Sequence, residues 1–145
     1  MSLKINRSAL VMFSAQQMYD LVNDVASYPS FLPWCSGATV LEADFTQMRA
    51  SLDVSKGGMR QSFTTLNELV AHEKISMRLE DGPFKKLKGD WHFTALREDA
   101  CKVELDLEFE LKQGVAKLAF GPVFNQAANT MVDAFCERAK VVYGK

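Results

Sequence analysis

Apolar positions recur with a period of two through the middle of the chain and at helical spacing towards its two ends. Residues 3–13 read as a strand in which Ile5, Ala9, Val11 and Phe13 share one phase. Arg7 falls in that phase too, which marks either an edge strand or a polar group facing the interior, the edge being the simpler reading. Ser14 to Gln17 has the spacing of a capping box, and Met18, Leu21, Val22 and Val25 follow at helical spacing. A first helix is expected over Ala15 to Val25. Pro29 and Pro33 exclude a long regular element next, so a short helical turn leading irregularly into a strand is expected there. Its large apolar groups, Phe31, Leu32 and Trp34, close one end of the core.

From Thr39 onward the chain alternates. Met48, Ala50, Leu52 and Val54 face one way; Arg49, Ser51, Asp53 and Ser55 face the other. Gly57-Gly58 signals a hairpin turn, and Phe63 and Thr65 continue the return strand. Ile75, Met77 and Leu79 form the next inward set, Asp81-Gly82-Pro83 the next turn. Leu87, Gly89, Trp91 and Phe93 follow, then Val103, Leu105, Leu107, Phe109 and Leu111. Short turns between such strands require antiparallel pairing, and one apolar face needs a cover. The cover is the last quarter, Val115 to Val142. Its stripe runs through Val115, Leu118, Ala119, Val123, Ala127, Met131, Phe135, Ala139 and Val142, widened by Phe120, Phe124, Ala128, Val132 and Cys136. Gly121-Pro122 inside it predicts a kink or short break. The architecture is α+β: one strand, helices, a meander of about six strands, and a curved antiparallel sheet wrapped around the C-terminal helix. Residues 1–145 read as a single domain.

Composition narrows the function classes. A net charge of −1 leaves phosphate binding only to a local basic patch, and no DNA partner is expected. Cys35, Cys101 and Cys136 are odd in number and scattered, which fits a reducing compartment with buried thiols. The N-terminus lacks the apolar run of a signal peptide, and no stretch approaches a membrane span. A soluble, cytoplasmic protein is expected.

Few residues suggest chemistry. His72 lies in a polar turn and His92 on an outward phase, neither beside an inward nucleophile. No HExxH, Walker A or GxGxxG pattern occurs. Neither a catalytic set nor a metal site is expected. Glu104, Asp106, Glu108 and Glu110 read as a solvated strand face with Lys86 and Lys88 as cross-strand partners. Inward polar groups reduce to Arg7, Gln61 and Thr65, enough to orient one polar end of an apolar ligand. Phe84 stands at a turn beside Lys85, Lys86 and Lys88. That loop is either a basic contact patch for anionic lipid or RNA phosphate, or a strand end with solvated lysines and a tucked ring. The 10 Phe and 7 Met, with Trp34 and Trp91, fill a core or line an adaptable cavity. On the cavity reading the inward phases supply its lining: Phe63, Met77, Trp91, Phe93, Phe109, Phe120, Phe124 and Met131. Phe31, Trp34 and Phe84 stand at its mouth.

Several segments together carry a resemblance. They are Tyr19-Asp20-Leu21-Val22-Asn23-Asp24-Val25 with Tyr28-Pro29 and Phe31-Leu32-Pro33-Trp34-Cys35, then Asp53-Val54-Ser55-Lys56-Gly57. Asp81-Gly82-Pro83-Phe84-Lys85-Lys86-Leu87 and Ala119-Phe120-Gly121-Pro122-Val123-Phe124 complete the set. In this order the chain resembles the coenzyme Q-binding START-like (polyketide cyclase/dehydrase-related) family, and within it the bacterial ribosome association toxin branch. The resemblance implies a helix-grip (START-like/Bet v 1-like) fold with an apolar cavity between sheet and helix. It implies binding of ubiquinone or a similar polyisoprenoid lipid in support of cellular respiration, with transient contact to a membrane surface. For the bacterial branch it implies a toxin–antitoxin role: binding the large ribosomal subunit and blocking subunit joining. Arg138, Lys140 and Lys145 add to the basic residues that favour this alternative. Non-catalytic lipid or quinone binding stands first, ribosome association second, an enzyme third.

Overall fold

A computed structural model describes residues 2–56, 58–112, 114 and 120–144. The elements in chain order are β1 (Leu3–Val11), α1 (Ala15–Asn23), a 3-10 helix (Val25–Ser30), β2 (Cys35–Ala43), β3 (Gln47–Lys56) and β4 (Met59–Val70). β5 (Lys74–Asp81), β6 (Phe84–Arg97), β7 (Ala100–Leu111) and α2 (Phe120–Val142) follow. The strands form one seven-stranded sheet in the order β1-β7-β6-β5-β4-β3-β2, with every neighbouring pair antiparallel. The six-strand meander is therefore as expected, and β1 closes its far side against β7. Gly57, Val115, Leu118, Ala119 and Lys145 lie outside the described residues.

The local signals at the first helix hold atom by atom. Gln17 N donates to Ser14 Oγ at 3.0 Å, and Ser14 N donates to Gln17 Oε1 at 2.9 Å. The α-helix ends at Asn23, two residues short of the expected Val25, because Asp24 leaves helical geometry and a 3-10 helix containing Pro29 takes over. Arg7 sits on the edge strand β1, where its guanidinium donates to Asn129 Oδ1 of α2 at 2.7 Å. The charge thus ties the sheet's edge to the helix instead of entering the core.

The kink or short break expected at Gly121-Pro122 adjoins residues 115–119, which lie outside the described residues. One expectation is corrected, and it concerns Phe84. A register shift in β6 between Phe84 and Lys86 inserts Lys85 as an extra residue. The bulge turns both Phe84 and Leu87 inward, three residues apart, where strict alternation puts them on opposite faces. Phe84 is consequently 1% exposed. It does not stand at a mouth.

Phe84 anchors a cluster of rings: its centroid lies 4.8 Å from Phe124 and 5.5 Å from both Phe63 and Phe120. Phe109 joins at 4.8 Å from Phe124. Edge-to-face pairs of this kind add roughly 0.5–1.5 kcal/mol each beyond area burial. The side of α2 facing the sheet carries Phe120, Phe124, Ala128, Val132, Phe135 and Ala139, all buried. Phe84→Ala is expected to destabilise the protein by about 3–5 kcal/mol in urea unfolding. A change below roughly 0.5 kcal/mol, the range of ordinary surface substitutions, would contradict the buried cluster.

Candidate ligand chamber and outer face

The sheet and α2 leave a small, partly open chamber of about 60 Å³ between them. Strands β3 and β4 contribute Ala50, Leu52, Phe63, Thr65 and Asn67, and β5 contributes Met77. β6 and β7 contribute Leu87, Trp91, Leu105 and Leu107; α2 contributes Phe124 and Met131. Val25, Tyr28 and Trp34 complete the wall from the segment after α1. Five of the expected lining residues therefore meet: Phe63, Met77, Trp91, Phe124 and Met131.

The other expected residues point inward but pack into solid regions. Phe93 lies against Tyr19, centroids 5.7 Å apart, and stacks on Trp91 at 6.3 Å. Phe109 and Phe120 belong to the ring cluster around Phe84 and Phe124. Of the expected mouth residues, Trp34 lines the chamber and is also part of a surface groove of about 550 Å³ beside α2. Phe31 instead packs edge-on to Phe135 at 5.4 Å, with the Arg138 guanidinium 5.0 Å above its ring.

The polar groups in this wall are few. Thr65 Oγ1 donates to Asn67 Oδ1 at 2.9 Å, both side chains being buried. Asn67 was not among the residues singled out from the sequence. The signal was its phase, two residues on from Thr65 along β4. Of the inward polar set expected from the sequence, Thr65 faces the chamber, while Arg7 and Gln61 do not line it. Tyr28 is the one titratable group among the described lining residues. Burial, with the nearby Cys35 and Asp24 adding to it, raises its pKa far above neutrality, and its hydroxyl donates to Val22 O. Tyr28 is therefore held in its neutral form.

Neither histidine approaches the chamber. His72 occupies the β4–β5 turn with φ of 65° and packs edge-on to Tyr19 at 5.6 Å. His92 faces outward, its Nε2 3.9 Å from Asp106. Burial raises the Cys35 and Cys101 thiols to about 11, which holds them protonated. Among the described residues no group of three His, Cys, Asp or Glu side chains is placed to hold a metal ion. No helix among them is long and apolar enough to cross a membrane.

On the outer face the three lysines of the expected basic patch are all ion-paired. Lys86 Nζ lies 2.9 Å and Lys88 Nζ 3.7 Å from Glu108, and Lys85 Nζ 3.5 Å from Glu110. The Lys86 hydrogen bond holds the Glu108 carboxyl below the ordinary carboxylate range, with Lys4 and Lys88 assisting. Beside this ladder a polar depression of about 480 Å³ mixes Lys4, Arg78 and Lys88 with Asp90, Asp106 and Glu108. The patch is of mixed sign. The partners expected for Lys86 and Lys88 are there; a basic face is not.

The model of the family described as polyketide cyclase / dehydrase and lipid transport matches residues 11–136. The chain is 57% identical over 142 residues to "Ribosome association toxin RatA" of Vibrio cholerae serotype O1, covering 98% of this chain and 99% of that protein. It is 28% identical to "Coenzyme Q-binding protein COQ10 homolog B, mitochondrial" of Xenopus laevis, over 99% of this chain and 60% of that protein. Among solved structures it superposes on the Zhui aromatase/cyclase of Streptomyces sp. R1128 with a TM-score of 0.83 at 16% identity, covering 99% and 98% of the two chains. That likeness concerns the fold alone: the curved antiparallel sheet gripping a C-terminal helix.

The lysine ladder has a pH signature. Glu108, with its pKa lowered by folding, stabilises the protein above the unfolded carboxylate pKa and loses that contribution as the pH falls through its folded pKa. Lys86→Met is expected to move the acid-unfolding midpoint upward by roughly a few tenths of a pH unit, followed by circular dichroism. An unmoved midpoint means the ladder contributes nothing in solution.

Proposed function

The chain belongs to the polyketide cyclase / dehydrase and lipid transport family, and from that premise we infer that it is a non-catalytic binding protein for an elongated apolar ligand. The favoured ligand class is ubiquinone or a similar polyisoprenoid lipid, held in support of respiration. The observation that carries this reading is the chamber wall itself. It is apolar apart from one hydroxyl–amide pair and a tyrosine whose hydroxyl is already engaged. Such a wall can bury an apolar body and orient one polar end. It offers no acid or base for a cyclase-type reaction. The coenzyme Q-binding name of the Xenopus relative points in the same direction.

A chamber of about 60 Å³ is far below the ~300 Å³ or more that ligand sites usually enclose. Entry therefore requires side chains to move. Met77 and Met131, unbranched and only partly buried, are the lining residues best able to do so.

A second reading is carried by the 57% identity to a ribosome association toxin over almost the full length of both chains. On this reading the protein binds the large ribosomal subunit through its exterior and blocks subunit joining. The two readings use different parts of the molecule.

The first experiment is mass spectrometry of organic extracts from protein purified gently out of quinone-producing bacteria. An isoprenoid quinone at about one per chain is expected, and it is expected to be lost from a folded Met131→Glu variant. An empty protein that also fails to take up added quinone removes the lipid reading. For the second reading, the protein is expected to co-sediment with large ribosomal subunits. Replacing Lys85, Lys86 and Lys88 together by Glu is expected to weaken a salt-sensitive contact through that loop. Unchanged co-sedimentation at every salt concentration excludes the loop as the contact.

A further inference from the structure

Thr65 and Asn67 are 7% and 5% exposed, the buried polar side chains among the described residues. They sit two residues apart on the inward phase of β4, between Phe63 and Leu69. The bond from Thr65 Oγ1 uses one lone pair of Asn67 Oδ1. It leaves the Asn67 Nδ2 with two N–H donors and no partner among the described residues. Asn67 Nδ2 is not among the fully buried unpaired side-chain atoms of the described residues, which are Asn23 Oδ1 and Arg138 Nε, so it keeps some exposure. The amide lines the chamber, so its donors are open to whatever enters.

Trp34 is the second part. It lines both the chamber and the surface groove. The groove runs along α2 past Val123, Ala127 and Ala134, with Leu32 and Pro33 opposite, and its lining also includes the polar Ser55, Lys56, Gln126, Thr130, Asp133 and Glu137. Its volume, about 550 Å³, is of the size that accepts a long chain, whereas the chamber accepts only a head. The Met77 terminus and Leu107 Cδ1 already fill the space beside Gly89, where a Cβ would stand 2.9 Å and 2.7 Å from them. Room for the head therefore comes from Met77 swinging to another rotamer, which its unbranched chain permits.

We propose that chamber and groove are one site for an amphiphile with a carbonyl-bearing head and a long apolar chain. The head accepts a hydrogen bond from Asn67 Nδ2, and the chain passes Trp34 to lie along α2. This rests on the lipid-binding reading and adds to it the chemistry of the head and the path of the chain. The shared chemistry admits a quinone or an acyl ester.

Isothermal titration with three probes tests it: decylubiquinone, decylbenzene (a ring and chain with no carbonyl) and methyl palmitate (a carbonyl with no ring). Wild-type protein is expected to prefer decylubiquinone to decylbenzene by about tenfold, the value of one net hydrogen bond. Asn67→Leu is expected to abolish that preference by weakening the quinone alone, with no loss of thermal stability. Asn67→Ala gives the same reading should leucine disturb the packing. A wild-type preference for methyl palmitate that Asn67→Leu abolishes supports the same contact with an acyl head. Retention of the preference in the Asn67 variants, or equal weakening of all probes, overturns the proposal and leaves lipid binding standing. Wild-type protein that binds none of the three overturns both. Trp34→Ala is expected to speed ligand release several-fold, and an unchanged release rate overturns the path past Trp34.

Discussion

The concave face of the sheet and the apolar stripe of α2 can be removed from water only against each other. Buried residues from both sides fill that contact, among them Val54, Trp91, Val103, Leu105 and Phe109 from the strands and Phe120, Phe124, Val132 and Phe135 from the helix. The contact is not uniform along its length. At the start of α2, rings pack on rings, with Phe84 and Phe109 each 4.8 Å from Phe124. Further along, Phe135 is held by Trp91 at 5.4 Å and Tyr28 at 5.3 Å. Between them the helix carries Ala127, Ala128, Met131 and Val132, which are smaller or more pliable. The chamber lies beside this stretch, with Phe124 and Met131 in its wall. A cavity there follows from the order of side chains on one helix: large, small, large.

The same contact explains what the sequence made legible. Period-two alternation identifies which face a residue takes, because a sheet with one wet face admits a single phase per strand. Phe63, Met77 and Trp91 take the inward face for that reason. Alternation says nothing about position along the sheet, so Phe93 and Phe109 share the inward phase yet pack into solid regions. It also fails wherever a bulge resets it. The extra residue at Lys85 leaves no mark in composition, so the sequence left Phe84 between a mouth residue and a tucked ring, and the structure buries it. Asn67 went unread because an amide on an inward phase has no hydrophobic signal to extend. Its meaning comes only from the wall around it.

The outer face obeys a different rule. Its charges pair across strands: Arg49 bridges Glu42 and Glu80 at 2.6 Å each, and the lysines after Phe84 meet Glu108 and Glu110. Exposed pairs of this kind add little to stability one by one. Their larger effect is on recognition. A cation held by a carboxylate must release it before it can neutralise a phosphate, and the released carboxylate then repels the phosphate. With a net charge of −1, the whole molecule gives no compensating attraction. Association with a polyanionic particle through this face must therefore draw on shape and hydrogen bonding more than on counterion release.

Access to the chamber is limited by what can yield. The strands are fixed by antiparallel ladders, and both ends of the helix contact are fixed by rings. The segment Phe31–Trp34 is different. It is irregular, follows Pro29, and contains Pro33, which has no N–H to donate. Backbone bonds anchor it on both sides, Leu32 N to Tyr28 O at 2.9 Å and Ser55 N to Trp34 O at 2.9 Å. The backbone there is pinned at two points while the Trp34 side chain lines both groove and chamber. On the lipid-binding proposal, rotation of the Trp34 and Met131 side chains is the way in that leaves the sheet unbroken. A ligand selected by such an opening is narrow in cross-section, apolar along its length and polar only where it comes to rest.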